Sequence, residues 1–356
     1  MAESIRATFA AAELAIVLSH FDLGVIESIT DFSRGSRRSP KVGIVGSQGK
    51  FLLKRRASGR SVPDRVIFAH RVQKCLQTFE FPLPRLFVTR DAGTSYLQLR
   101  EQVYELFAYV PGHSFERSAS ETRDAGRVLA AFHVGLDGFT ASSSRPEPHG
   151  DYHDVNGIRT GLCNLGPRLT THDSYSGNDA ELATLLHSLL EIYDKCAAAV
   201  NDLGFASLSE HVVHADWHPG NVVFRGGKVA AVVDYDSVRW SRLITDVANG
   251  SLQFSMNAEG DVKDWPADLD ESRFAQFMIG YRAADRLSAE EIKMIPFLMC
   301  EALLAECVPP ITEIGSVGQF AGYRVLQTIH RKLRWILKHR ERICELAGKT
   351  HDRAVS

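Results

Sequence analysis

The sequence predicts an α+β chain with a small β-rich N-terminal lobe, a short connector and a larger, mainly helical C-terminal lobe that holds one β-hairpin. Three observations carry this. Before residue 110 apolar residues fall mostly in short extended runs, and beyond it they recur mostly at helical spacing. Pro111 and Gly112 punctuate the change, because neither continues the preceding run. The expected boundaries are 1–104 for the first lobe, 105–112 for the connector and 113–356 for the second lobe.

The elements follow in chain order. VIESITDF, KVGIVG, KFLLKRR, TSYLQLREQ and VYELFAYV read as strands, and Gly46 and Gly49 in VGSQGK supply a hairpin turn. PDRVIFAHRVQKCLQTF reads as a helix, with Pro63 near its start and Val66, Ala69, Val72 and Leu76 roughly at helical spacing. In the second lobe SASETRDAGRVLAAFHVGLDGF has a capping-type start and places Val128, Leu129 and Phe132 on one side. DAELATLLHSLLEIYDKCAAAV is a long amphipathic helix. ESRFAQFMIGYRAADRL, SAEEIKMIPFLMCEALLAEC and YRVLQTIHRKLRWILKHRERICELA are three more, the last with a basic solvated face. Polar TASSSRPEPHGDYHD reads as a surface loop.

Composition narrows the class. Of 356 residues 44% are hydrophobic and 24% charged, ordinary for a globular protein with a sizeable core. A net charge of −2 offers no global basic field for nucleic acid or a membrane surface. The N-terminus carries Glu3 and Glu13 and lacks the basic start and apolar run of a signal peptide. No stretch approaches the roughly 18 uninterrupted apolar residues of a spanning helix. Six scattered cysteines without a CxxC pair suit reduced thiols. A cytoplasmic protein is expected, with a small molecule as partner and neither nucleic acid nor membrane.

The chemistry concentrates in HVVHADWHPGNVVFRGGKVAAVVDYDS, His211 to Ser237. A short extended run ends at His214, Pro219 and Gly220 force a tight loop, NVVF resumes, RGGK turns, and VAAVVDYD ends in acids. Such a strand–loop–strand–turn–strand unit would bring Asp216 and Asn221 close to Asp234. Carboxylate and amide oxygens are hard ligands that suit a magnesium ion carrying phosphates. A carboxylate left off the metal can take a proton from an attacking hydroxyl. A zinc site on His214 and His218 fits poorly, since their i, i+4 spacing would need a helix that Pro219 and Gly220 deny. Turn chemistry alone explains any one of these residues better than it explains the set, and EF-hand spacing is absent.

HADWHPGN followed by VVDYD resembles the catalytic signature HxDxHxxN…D of the aminoglycoside phosphotransferase and choline kinase superfamily, whose members have the protein-kinase-like two-lobed fold. The resemblance implies an ATP- and Mg2+-dependent kinase. It makes Asp216 the catalytic base, Asn221 and Asp234 the metal ligands, and His214 an organiser of the loop. Ala215 stands where glycine is common, and Asp246 in ITDVANG corresponds to an aspartate that braces the loop. Asp236 could assist the metal or be a solvated strand end. In the first lobe FSRGSRRSP lies where the phosphate-covering loop belongs, so Gly35 and Ser36 would approach phosphate, though the segment also reads as a plain turn. Lys54 in GKFLLKR resembles the lysine that meets ATP phosphates; Asp64 and His70 on the next helix leave its acidic partner open. YELFAYVPG resembles the connector, with Phe107 to Tyr109 offering backbone to adenine, although these aromatics equally suit a core. The resemblance runs from about Val25 to Ala284.

The implied reaction is transfer of the γ-phosphate of ATP to a hydroxyl of a small molecule: an amino alcohol, a homoserine-like compound, an amino sugar or a sugar. A Ser/Thr protein kinase of the same fold is the alternative, but the DFG and APE landmarks are missing. A non-catalytic nucleotide-binding module would be marked by loss of Asp216 or Asp234, and both are present.

Overall fold

A computed structural model describes residues 7–32, 39–57, 62–140, 152–171 and 177–349. The chain opens with α1 (Ala11–Leu18), β1 (Ile26–Asp31), β2 (Lys41–Gly46), β3 (Gly49–Arg55), α2 (Pro63–Gln77), β4 (Leu97–Leu99) and β5 (Gln102–Ala108). Then come α3 (Ala119–Gly135), α4 (Asn156–Thr170), α5 (Asp179–Asp202), β6 (His211–Val213), β7 (Val222–Arg225), β8 (Lys228–Val232) and β9 (Arg239–Ser241). The chain continues with α6 (Leu243–Ser255), α7 (Glu271–Tyr281), α8 (Ala283–Arg286) and α9 (Ala289–Ile314). It closes with β10 (Ser316–Val317), β11 (Phe320–Ala321), α10 (Gly322–Lys338) and α11 (Arg340–Ala347). The mixture of one antiparallel sheet and many helices is the α+β class expected.

Two compact units are formed. The first holds residues 1–115 together with Gly220–Val238. Its sheet runs β1-β2-β3-β5-β4, every neighbouring pair antiparallel. Gly46 faces Gly49 at the β2–β3 turn, where Gly49 adopts φ +134°. A Cβ on Gly46 would lie 2.7 Å from the Leu23 carbonyl, so glycine is needed there for close approach. β2 alternates half-buried with buried residues, and Val42 and Ile44 join Phe51, Leu53, Tyr104 and Leu106 in a core that also takes Val17 and Leu18 of α1. The β7–β8 hairpin, which the sequence suggests for the second lobe, groups with this unit instead. Val232 donates its N–H to the Pro82 carbonyl at 2.8 Å, and His113 and Phe224 exchange backbone bonds at 2.9 and 3.0 Å. Local pattern cannot announce such long-range pairing.

The second unit takes Glu116–Asp137, Arg239–Ser356 and the chain from Pro148 to Pro219. Its helices include α4, which the sequence reading passed over because three glycines and Pro167 dilute its apolar pattern. Ser118 caps α3 by accepting the Glu121 N–H at 3.2 Å, and Ser288 with Glu291 forms a capping box on α9. The end of the expected surface loop is packed rather than solvated. Tyr152 is buried and donates its hydroxyl to the Thr245 carbonyl at 2.7 Å. α9 is long and apolar enough to cross a membrane, and 72% of its most apolar window is buried inside the protein. β6 and β9 pair as a short antiparallel ladder that delivers the chain to His214.

Candidate active site

In the first unit β3 lies between β2 and β5, and the register sets Lys54 opposite both Lys41 and Glu105. Lys54 is 5% exposed. Its Nζ lies 3.0 Å from Asp234 Oδ1 and 2.8 Å from Asp236 Oδ1. Arg56 reaches Glu105 at 2.9 Å and Asp236 at 3.1 Å, and Lys41 stands 3.8 Å from Asp234 Oδ2. His70 of α2 closes the set, with Nε2 2.6 Å from Glu105 Oε1 and Nδ1 2.7 Å from Ser95 Oγ. Burial alone would lower the Lys54 ammonium, but Asp234, Asp236 and Glu105 overturn it and hold the group above its ordinary range. For Lys41 burial wins and the ammonium is lowered, despite help from Asp234. Glu105 sits well below the usual carboxyl range: its burial is outweighed by Arg56, His70 and Lys54.

The partner of Lys54 is therefore neither Asp64 nor His70 but the acid pair at the end of β8. Asp234 adopts φ +64°, which aspartate tolerates better than most residues. Asn221 is buried, and its carbonyl accepts the Val233 N–H at 2.9 Å, which fixes it beside the Asp234 segment. An amide just before β7 and a half-buried carboxylate just after β8 are oxygen donors of the type magnesium takes, so these residues fit the ion. Phe107 is half-buried against Leu52, and Tyr109 is exposed. The N–H groups of Ala108 and Tyr109 already donate to the Arg85 and Lys50 carbonyls at 2.8 and 2.9 Å, so the stretch expected to offer them to adenine has them committed. Gly35 and Ser36 lie outside the described residues.

In the second unit the loop after β6 is pinned from below. Asp246, in the first turn of α6, accepts the His214 N–H through Oδ2 and the Ala215 N–H through Oδ1, both at 2.7 Å. His133 Nε2 lies 3.2 Å from the same Oδ2, and His133 Nδ1 lies 2.9 Å from the Tyr281 hydroxyl. Burial would raise the Asp246 carboxyl, but His133, His214 and the Ala215 N–H bring it below its ordinary value. His214 is wholly buried, with its ring edge-on to Phe132 and Trp217 at centroid distances of 5.8 and 5.4 Å. Ala215 turns the chain at φ +63°. Asp216 is left with a side chain 38% exposed, its Oδ1 3.5 Å from His218 Nε2. A carboxylate presented by so anchored a loop can meet a substrate without a cost in ordering. Sequence reasoning missed Lys41, Arg56 and Glu105, whose only sequence signal is strand register.

A model of the phosphotransferase enzyme family matches residues 29–292. The chain belongs to that family. This phosphotransferase is 26% identical over 299 residues to a homoserine kinase of Phenylobacterium zucineum (strain HLK1), covering 82% of each chain. It is 34% identical over 294 residues to a homoserine kinase of Chelativorans sp. (strain BNC1), covering 80% of each. Among solved structures it resembles an amicoumacin kinase in complex with AMP-PNP, Ca2+ and Ami. The TM-score is 0.65 at 12% identity, over 97% of this chain and 96% of that one, a likeness of fold. The phosphotransferase is thus a small-molecule kinase with the protein-kinase-like fold.

Proposed function

We propose that this phosphotransferase moves the γ-phosphate of ATP to the hydroxyl of a small amino alcohol, with homoserine the first acceptor to test. The observation that carries the reading is the ion pair of buried Lys54 with Asp234, beside the anchored Asn221. It sets one cation for phosphate oxygens next to two oxygen donors for a metal, in a family of phosphotransferases. Magnesium, held by Asn221 and Asp234, would neutralise phosphate charge and orient the triphosphate. Lys54, held charged by its acids, binds phosphate oxygens. Val110, the first residue past the committed donors Ala108 and Tyr109, gives its N–H to adenine, and the Tyr109 ring covers the base. Gly35 and Ser36, outside the described residues, are the phosphate contacts that the sequence suggests. Residues 1–104 carry the nucleotide, 105–112 connect, and 113–356 supply catalysis and the acceptor site, with the β7–β8 hairpin returning to the nucleotide lobe.

Asp216 takes the hydroxyl proton as the acceptor oxygen bonds to the γ-phosphorus and the bond to the β-phosphate oxygen breaks, releasing ADP. His214 does not touch substrate; its backbone N–H and its packed ring fix the loop. The relatives named homoserine kinases, matched over four fifths of the chain, support an acceptor that carries an amine and a hydroxyl.

The test is phosphate transfer from labelled ATP to L-homoserine, 3-aminopropanol, ethanolamine, an amino sugar and a generic protein. Asp216→Asn should keep ATP affinity and thermal midpoint and slow transfer by about 10²–10⁴-fold. Unchanged turnover would remove Asp216 from the chemistry, and turnover on protein alone would replace the amino alcohol. Asp234→Ala should abolish the enhancement of ATP affinity by magnesium, read by nucleotide titration with and without the ion.

A further inference from the structure

Polar groups in the second unit gather beside Asp216 without a role in phosphate handling. Gly250 of α6 packs against the residue after Asp216, since a Cβ there would lie 2.9 Å from Trp217 Cδ1. This stretch of α6 therefore runs alongside the loop that presents Asp216. Asn249 and Gln253, one turn apart, share a face of α6. Gln253 donates its amide N–H to Glu306 Oε1 of α9 at 2.6 Å. Asn249 is 9% exposed, and among the described residues its amide oxygen has no hydrogen-bond partner. That is an unanswered acceptor at a buried place.

α9 adds two more. A helix carbonyl is answered by the N–H four residues on, and here those residues are Pro309 for Ala305 and Pro310 for Glu306. Proline has no N–H to give. The third proline of the helix shows the alternative: Pro296 leaves the Ile292 carbonyl, and Cys344 Sγ–H takes it at 3.6 Å. Among the described residues no donor from outside the helix takes the Ala305 or Glu306 carbonyl. Nor does any Lys, Arg or His there pair with the Glu306 carboxyl.

Acceptors therefore outnumber donors, and a carboxyl stands near Asp216 with no cation of the protein's own. The ligand that completes such a site is a donor with positive charge: an ammonium, which brings up to three N–H groups. We infer that Glu306, with Gln253 and Asn249, holds the ammonium group of the acceptor and selects hydroxylated amines over amine-free alcohols. The assignment rests on the amino-alcohol reading above and names the residues that would enforce it. The state of the carboxyl agrees. Glu306 is exposed to solvent, so a ligand can reach it. Crowding by its neighbours, then the Asp216 charge, push its carboxyl up to about 7.

The test measures binding and transfer separately on the full chain. L-Homoserine and its amine-free counterpart 4-hydroxybutanoate are titrated calorimetrically into wild type, Glu306→Gln and Glu306→Asp, each with magnesium and a non-hydrolysable ATP analogue. Wild type should prefer homoserine by about 10- to 100-fold. Glu306→Gln, nearly isosteric, should remove most of that preference with nucleotide affinity and thermal midpoint unchanged, and Glu306→Asp should restore part of it. A wild type without amine preference, or a preference that survives Glu306→Gln, overturns the assignment. Homoserine that binds by this pattern but is never phosphorylated sinks the kinase reading and leaves the ammonium site standing. Homoserine that is phosphorylated with a preference indifferent to Glu306 does the reverse.

Discussion

Ala215 turns the chain next to Asp216 in a conformation that has an energetic sign. Its φ of +63° lies in the left-handed region, where a Cβ costs about 1–2 kcal/mol. The turn cannot relax, because Asp246 holds the N–H groups on both His214 and Ala215. Ala215→Gly should relieve that strain, while the freer unfolded chain takes back about 0.4–1 kcal/mol. A net gain of about 0.5–1 kcal/mol is expected in urea unfolding, with ATP affinity unchanged; a loss of stability would refute the strain. Asp246 itself makes a pH prediction. Its folded pKa lies below its unfolded value of about 3.9. Its contribution is therefore present above about pH 4 and lost as pH falls through the folded value. Asp246→Asn, scanned for thermal midpoint from about pH 7 to 3, should lower the neutral plateau and flatten the acid limb. An acid limb identical to wild type would show that Asp246 does not set it.

Among elements, the tightest crossing joins α3 and α7. A Cβ on Gly280 would lie 1.9 Å from the Arg123 carbonyl oxygen, and one on Gly126 would lie 2.1 Å from that of Phe277. Both obstacles are backbone, so neither can swing aside. Gly280→Ala should cost about 3 kcal/mol or prevent folding, and it should also disturb His133, two turns along α3 from Gly126, which bonds both Tyr281 and Asp246. Urea unfolding together with the Asp216-dependent transfer rate would read both effects. These elements also show what was legible in the sequence. α3, α5, α7, α9 and α10 announce themselves by apolar period and caps, and the five strands by alternation. The stretch with Asp216, Asn221 and Asp234 stood out because all three fall within one strand–loop–hairpin segment. Lys41, Arg56 and Glu105 did not, because Lys54 meets Glu105 only once β3 pairs with β5. The pairing of Gln253 with Glu306 was hidden for the same reason. Gln253 and Glu306 lie on different helices, and two prolines inside α9 read as a helix end rather than as freed carbonyls.

At the scale of the molecule, the first unit is discontinuous in sequence. Lys54 and Arg56 are buried on a sheet finished by residue 108, yet two of the three acids that balance them, Asp234 and Asp236, arrive more than a hundred residues later. Without those acids Glu105 alone would face both cations, and an uncompensated buried charge costs several kcal/mol. A fragment of residues 1–115 should therefore stay largely unfolded by circular dichroism, and fusing Gly220–Val238 to it through a flexible linker should shift it toward the folded state. A cooperatively folded 1–115 fragment would show that the late acids are not needed. The same feature bears on how the protein is made. A nascent chain emerges from its N-terminus, and early lobes usually fold while the rest is still being synthesised. Here the ribosome must translate through His214 and Asp216 before the first lobe can neutralise its own interior. If so, the lobe proposed to grip the nucleotide would close only after the loop bearing Asp216 exists, and a truncated product would leave no half-made kinase able to sequester ATP.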